Sequence, residues 1–312
     1  MRTIMAAEAI ETEQCQRDGN GTRSPAGSLL LLILKTAALW IAAIAGCVVG
    51  GIAVPVDLPP AMADGPLTSG QAMLVVNALV AVSLAAVAAT ARVRGRRLFV
   101  LLFAAYFLIS SAMMQLETLW FNDSLKLPLI AVGQITASCA VAAVVTAFAG
   151  ALMFRPSASA ASPVPATLTR RIALMAAIYV VLYYSAGFFI AWQSAAVRAY
   201  YSNGVNIPFV PTVLFQVLRG TLWAIIALAV VTRLKGSLMQ RALVMGLLFS
   251  VMTAAQLLYP TPFFPWAVRS AHLVEVGISE FVYGIAATLV LLAGAAKRPL
   301  TSGIWRSLAG QA

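Results

Sequence analysis

The sequence predicts an all-α, polytopic transmembrane helix bundle of about eight spans, and three observations predict it. Apolar residues fill 61% of 312 positions and charged residues only 10%, where a soluble domain carries about a quarter charged. The apolar residues fall in eight runs, each near the roughly 20 residues that a helix needs to cross a hydrocarbon core of about 30 Å. These runs lack the period-two alternation of a membrane barrel and are rich in Ala, Leu and Gly, which suits helices that satisfy their own backbone.

In chain order, residues 1-28 mix Glu8, Glu11, Glu13 and Asp18 with Arg17, Arg23 and glycines, and read as a disordered cytoplasmic tail. Spans are expected at 29-53, 72-91, 98-116 and 127-154, then, after a Ser-, Ala- and Pro-rich cytoplasmic linker at 155-169, at 172-192, 211-232, 242-259 and 273-296. Residues 297-312 form a second cytoplasmic tail. The formal charge of +11 is distributed by side. Arg92, Arg94, Arg96 and Arg97 follow the second span; Arg155, Arg170 and Arg171 lie between the fourth and fifth; Arg233, Lys235 and Arg241 lie between the sixth and seventh; Lys297, Arg298 and Arg306 follow the last. The alternate loops hold Lys126, Arg198 and Arg269, with Asp57, Asp64 and Asp123. By the positive-inside rule the Arg-rich loops face the cytoplasm of a bacterial inner membrane and both termini lie inside. A basic balance explained by topology leaves no case for nucleic acid.

Sliding the chain against itself by 141 residues aligns unusual positions without a gap. Arg92-Val93-Arg94-Gly95 falls on Arg233-Leu234-Lys235-Gly236, Ala45-Gly46 on Ala186-Gly187, and Gln115-Leu116 on Gln256-Leu257. This predicts a 4+4 parallel internal repeat, 29-154 and 170-296, related by a pseudo-twofold axis along the membrane normal. Shared chemistry at every cytoplasmic turn is the simpler alternative.

The cysteines exclude more than they propose. Cys15, Cys47 and Cys139 form no CxxC motif and lie in different segments, so neither a disulfide relay nor a zinc site is expected. A single histidine, His272, excludes bis-histidine haem ligation within the chain. No P-loop, GxSxG or HExxH motif is present, and no cofactor is expected. Ile44-Ala45-Gly46-Cys47 is similar to the acylation box of a bacterial lipoprotein. Against that stand the polar leader, Lys35 inside the run, and the recurrence of Ala-Gly at Ala186-Gly187 without a following Cys. A retained first span is therefore expected; loss of a fatty-acid label in Cys47→Ala would overturn it.

Chemistry is left to polar groups inside the apolar slab, where each needs a partner or a purpose. Arg219 in the sixth span and Glu280 in the eighth each lie about eight residues from the outer end, near 12 Å at 1.5 Å per residue. Arg219 can snorkel, whereas the short Glu280 side chain has to be paired, hydrated or protonated. At 100° per residue His272, Glu275, Ser279 and Tyr283 share a stripe of the eighth helix with Glu280 on its flank, and Thr212, Gln216, Arg219, Gly220 and Trp223 share one on the sixth. The positions 141 residues earlier are bland: Ala78 for Arg219, Ala131 for His272, Gln134 for Glu275 and Cys139 for Glu280. Ligand or proton-site candidates are thus Arg219, His272, Glu275, Glu280, Gln216, Ser279, Tyr283 and Arg269. Each has a plainer alternative. Arg269 and His272 are placed as interfacial anchors, Arg219 with Glu280 as a structural bridge, and Trp192, Tyr200 and Tyr201 as an aromatic belt. Glu117 and Asp123, near the outer end of the third span, either join the cluster or face solvent.

The stretches Val268-Arg269-Ser270-Ala271-His272-Leu273-Val274-Glu275 and Ser279-Glu280-Phe281-Val282-Tyr283-Gly284, with Arg219-Gly220-Thr221-Leu222-Trp223 and Tyr259-Pro260-Thr261-Pro262 before them, resemble a family of multi-span bacterial membrane proteins without an assigned activity. The resemblance covers mainly the second half and implies a bacterial inner membrane. The chain departs from it at Glu280, where the family pattern implies Asn.

Three functional classes follow. One is a transporter-like or ligand-binding protein that takes a small anionic or lipid ligand between the sixth and eighth helices, with Arg219 fixing the anion and Glu275, Glu280 or His272 exchanging protons. Another is a non-catalytic subunit or assembly factor that partners membrane lipids and a second membrane protein. The third is an intramembrane enzyme acting on a lipid or polyprenyl substrate, with Glu275 or His272 as general base.

Overall fold

The computed structural model describes residues 25–202 and 208–293. The expected tails, with Cys15, Lys297, Arg298 and Arg306, lie largely or wholly outside the described residues. Eight long helices account for most of the rest: Pro25–Ala53 (α1), Ser69–Thr90 (α2), Arg96–Trp120 (α3), Leu129–Met153 (α4), Leu168–Phe189 (α5), Phe209–Val231 (α6), Leu238–Ala254 (α7) and Trp266–Leu292 (α8). All eight are long and apolar enough to cross a membrane, and the chain is a multi-pass helical membrane protein. Short helices at Asn122–Leu125 and Ala195–Ser202 sit in the connections after α3 and α5.

Helix starts follow local chemistry more closely than hydropathy. α1 begins at Pro25, four residues before its apolar run, where a proline lacking N–H costs nothing. α2 begins at Ser69 because Thr68 and Gln71 form a reciprocal capping box, and Ser237 with Gln240 does the same for α7. Two helices depart from α geometry at one contact. α3 contains a π turn at Leu108–Ala112, α7 ends in a 3-10 turn at Ala255–Leu258, and the Gln256 amide on the latter donates to Ser110 C=O on the former. That bond occupies a carbonyl in the π turn.

At the end of the bundle that carries most of the Arg and Lys, here the basic end, the α2–α3 and α6–α7 turns pair with each other. Arg92 N–H donates to Arg233 C=O at 2.7 Å, Lys235 N–H donates to Thr90 C=O at 2.6 Å, and Ala91 and Leu234 form an isolated antiparallel bridge. Gly95 and Gly236 follow these turns with φ of 57° and 100°, a left-handed conformation that favours glycine. The Ser- and Ala-rich connection after α4, expected to be a flexible linker, is tied across these turns. Ser159 N–H donates to Arg92 C=O, Ser162 N–H donates to Thr232 C=O, and the Lys235 ammonium donates to Ser157. Backbone groups beside an apolar slab require such partners.

The helix pairs are closed by small residues. α1 lies on α4 so closely that a Cβ on Gly46 would stand 2.8 Å from Ala142 O, and one on Gly50 2.5 Å from Ser138 O. α7 lies on α8 in the same way, where a Cβ on Gly284 would meet Met245 O at 2.5 Å. Such backbone approach is the usual basis of helix association in lipid. α5 packs on α6 through Gly220 against Ala176. Toward the opposite end of the bundle, however, α5 and α8 part.

Candidate functional site

The parting of α5 and α8 opens a cavity of about 600 Å³ at the end opposite the basic one, lined by α3, α5, α6, α7, α8 and the short helix Ala195–Ser202. Its floor is a layer of buried aromatic rings. Tyr179 meets Tyr283 edge-on at 5.4 Å, Phe249 lies 5.8 Å from Tyr283, and Trp223 lies 5.2 Å from Phe249. Tyr283 also donates its hydroxyl to Gly220 C=O at 3.2 Å. Below that layer, glycine-mediated packing closes the bundle toward the basic end.

Arg219 enters the cavity from α6 but is 2% exposed and already engaged. One guanidinium nitrogen donates to Glu117 Oε2 at 2.8 Å and another to Gln216 Oε1 at 3.0 Å; the rings of Tyr179 and Phe215 stand 5.6 and 5.8 Å from its Cζ. A bridge to Glu280 was the plainer alternative for Arg219, and Glu117 was expected either to join the cluster or to face solvent. Glu117, at the end of α3, takes that place because it is brought against α6 from 102 positions away. Gln216 is fully buried behind the cavity wall and holds Arg219 rather than facing a ligand.

Glu280 does line the cavity, is 7% exposed, and has its Oε2 buried with no hydrogen-bond partner. Arg219 and Glu117 are near enough for their charges to reach it. A buried carboxylate oxygen without a donor is costly, and the Arg219 Nε and the Tyr184 hydroxyl in the same lining are likewise buried without a partner.

Nearer the mouth, His272 Nδ1 lies 2.6 Å from Glu275 Oε2, and His272 Nε2 lies 3.4 Å from the Tyr201 hydroxyl. Burial pushes the Tyr201 phenol up, which keeps it a donor. The two contacts hold the imidazole between a carboxylate and a phenol. Ser279 and Tyr283 also line the cavity, in line with the stripe expected of α8.

Arg269 touches the cavity but is committed elsewhere. It is 1% exposed, paired with Asp64 Oδ1 at 2.5 Å, and donates to the carbonyls of Phe264, Leu257 and Tyr259. Asp64 also accepts from Trp266 N–H at the start of α8. Arg269 is thus a clamp that joins the α1–α2 and α7–α8 connections.

The sequence stripes left out one wall. Tyr179, Tyr183, Tyr184, Gly187 and Phe188 on α5 line the cavity, as do Trp192, Tyr200 and Tyr201, which were expected to form a belt facing the membrane interface. A helical run of tyrosines, with Tyr179 and Tyr183 four residues apart in an otherwise aliphatic span, was the available signal. Asp123 is exposed and does not line the cavity. No group of three or more His, Cys, Asp or Glu side chains that could hold a metal occurs among the described residues.

The chain matches no protein-family model, no curated protein and no solved structure with which it was compared. Function is therefore argued from the geometry alone.

Proposed function

We propose that the protein is a transporter-like or ligand-binding membrane protein whose site is the cavity between α5, α6 and α8. One observation carries this: Glu280 presents an unpartnered, buried carboxylate oxygen at the wall of a cavity in the size range of small-molecule sites, while both arginines that touch the cavity are paired. The positive-inside rule supports a basic end in the cytoplasm of a bacterial inner membrane, with the cavity opening outwards.

The proposal includes duplication of a four-helix unit. In its support, α1 to α4 begin at residues 25, 69, 96 and 129, and α5 to α8 at 168, 209, 238 and 266. In each set the first helix packs on the second and fourth, and the third on the fourth.

The test is aqueous access. In a chain with Cys15, Cys47 and Cys139 replaced by Ala, Ser279→Cys is expected to react with a membrane-impermeant maleimide added to intact cells. Ile278→Cys, on the exposed apolar flank of α8, is expected to stay unlabelled. A Ser279→Cys that reacts from neither side of the membrane sinks the proposal, and one that reacts only in inverted vesicles reverses the orientation.

A second function is favoured by the His272–Glu275 pair, since a carboxylate that orients an imidazole is the arrangement of a general base. In sealed vesicles an enzyme changes the covalent identity of its substrate, whereas a transporter changes only its side.

A further inference from the structure

We propose that the cavity takes a lipophilic organic cation, an amine or quaternary onium with an apolar body, whose charged centre sits against Glu280; this rests on the cavity being a ligand site. Charge balance carries the argument. Arg269 is neutralised by Asp64 and its remaining donors are spent on backbone carbonyls. Arg219 is neutralised by Glu117. Glu275 is held by His272. Once these pairs are struck out, the carboxylate that remains is Glu280, with its Oε2 buried and unpartnered.

The lining suits the same chemistry. Tyr183, Tyr184, Phe188, Trp192, Tyr201 and Phe209 face the cavity. Aromatic faces carry the negative end of the ring quadrupole and attract cations most strongly where water is scarce. An anionic ligand would need an unpaired positive charge, and the charges of both arginines that touch the cavity are already paired, Arg219 keeping only its Nε–H without a partner. A zwitterionic phospholipid headgroup meets the same objection, because its phosphate would have no cation to meet. An ammonium or onium group on an apolar body satisfies both the carboxylate and the rings.

The probes are tetraphenylphosphonium and tetraphenylborate, which share a shape and differ in charge. Binding of each to the purified full-length protein in non-ionic detergent is followed by tryptophan fluorescence, with a soluble tryptophan derivative in the same micelles showing how much of the signal is not binding. Saturable binding of the phosphonium is expected, at least tenfold tighter than that of the borate. Glu280→Gln is expected to weaken it at least tenfold with the thermal midpoint unchanged, and Glu280→Asp to retain more of it than Glu280→Gln. Borate binding equal to or tighter than phosphonium binding overturns the cation class, as does a Glu280→Gln protein with wild-type phosphonium affinity. Absence of saturable binding by either ion also overturns it. The ligand-site proposal is judged separately, by maleimide access to Ser279→Cys, so the two failures are distinguishable.

Discussion

The contact of α1 with α4 and that of α5 with α8, which correspond if the proposed 141-residue offset holds, differ in what stands between the helices. In the first, Gly46 and Gly50 press against the α4 backbone at Ala142 and Ser138. In the second, Gly187, the counterpart of Gly46, has Glu275 Oε1 3.5 Å from where its Cβ would be and no backbone of α8 near it. α5 then ends at Phe189 and the chain turns through Ala191–Gln193, whereas α1 runs on to Ala53. The exchanges on the facing helix explain the parting. Cys139, Gln134 and Ala131 on α4 become Glu280, Glu275 and His272 on α8. Charged and bulky side chains hold α8 away from α5, and the space they hold open is the cavity.

The largest effect that would break this comparison lies at Arg219. Arg219→Ala leaves Glu117 without its partner in the cavity wall, and loss of about 3 kcal/mol of stability is expected, as for other ion pairs cut on one side. Thermal unfolding in detergent checks it, and adding Glu117→Gln should restore part of the loss. If Arg219→Ala unfolds like the wild type, the pair is dispensable and Arg219 is free for ligand.

Next come the glycines. Gly50→Leu would drive a side chain into the Ser138 backbone, at a cost of about 2 kcal/mol or more, which corresponds to a midpoint lowered by roughly 5 °C. Gly187→Leu, whose Cβ would meet only the side chains of Glu275 and Trp192 at ordinary contact distance, should leave the midpoint within about 2 °C while filling the cavity and slowing maleimide reaction at Ser279→Cys. Equal destabilisation by the two substitutions would show that α5 and α8 are as closely packed as α1 and α4.

The smallest effect on stability is expected at Glu280. Glu280→Gln removes a charge that has no hydrogen-bond partner on one oxygen, so unfolding should shift by less than about 1 kcal/mol in either direction, although phosphonium binding falls. A large loss of stability would instead make Glu280 a structural residue.

Much of the fold was legible in the sequence, because a transmembrane helix is specified by about 20 consecutive residues and needs no tertiary knowledge. Arg219, Glu275 and Glu280 were legible for a related reason: a charge inside an apolar run stands out wherever it points. The pairings made across the fold were not, although Glu117 was named near the cluster. Glu117 reaches Arg219 from the end of α3, and Asp64 reaches Arg269 across 205 positions from a loop. Neither distance leaves any periodic trace. Gln216 shared the right stripe, but a stripe does not distinguish the wall of a cavity from the layer behind it. The α5 tyrosines were passed over because a tyrosine in a span reads as one more apolar residue until something polar is seen across from it.

The bond between the two basic turns has a further meaning. Arg92 and Arg233, whose backbones are joined there, are 141 positions apart, so under the internal offset each is the counterpart of the other. A residue bonded to its own counterpart is the mark of an isologous interface, the kind that two identical subunits form about a dyad. Here the bond runs one way only, since Arg233 N–H donates to Val230 C=O and Arg92 C=O accepts from Ser159 N–H, so the junction is not a symmetric one. The consequence is mechanical: the two turns and the connection after α4 are tied into one unit at the basic end, so the helices can part only at the other end.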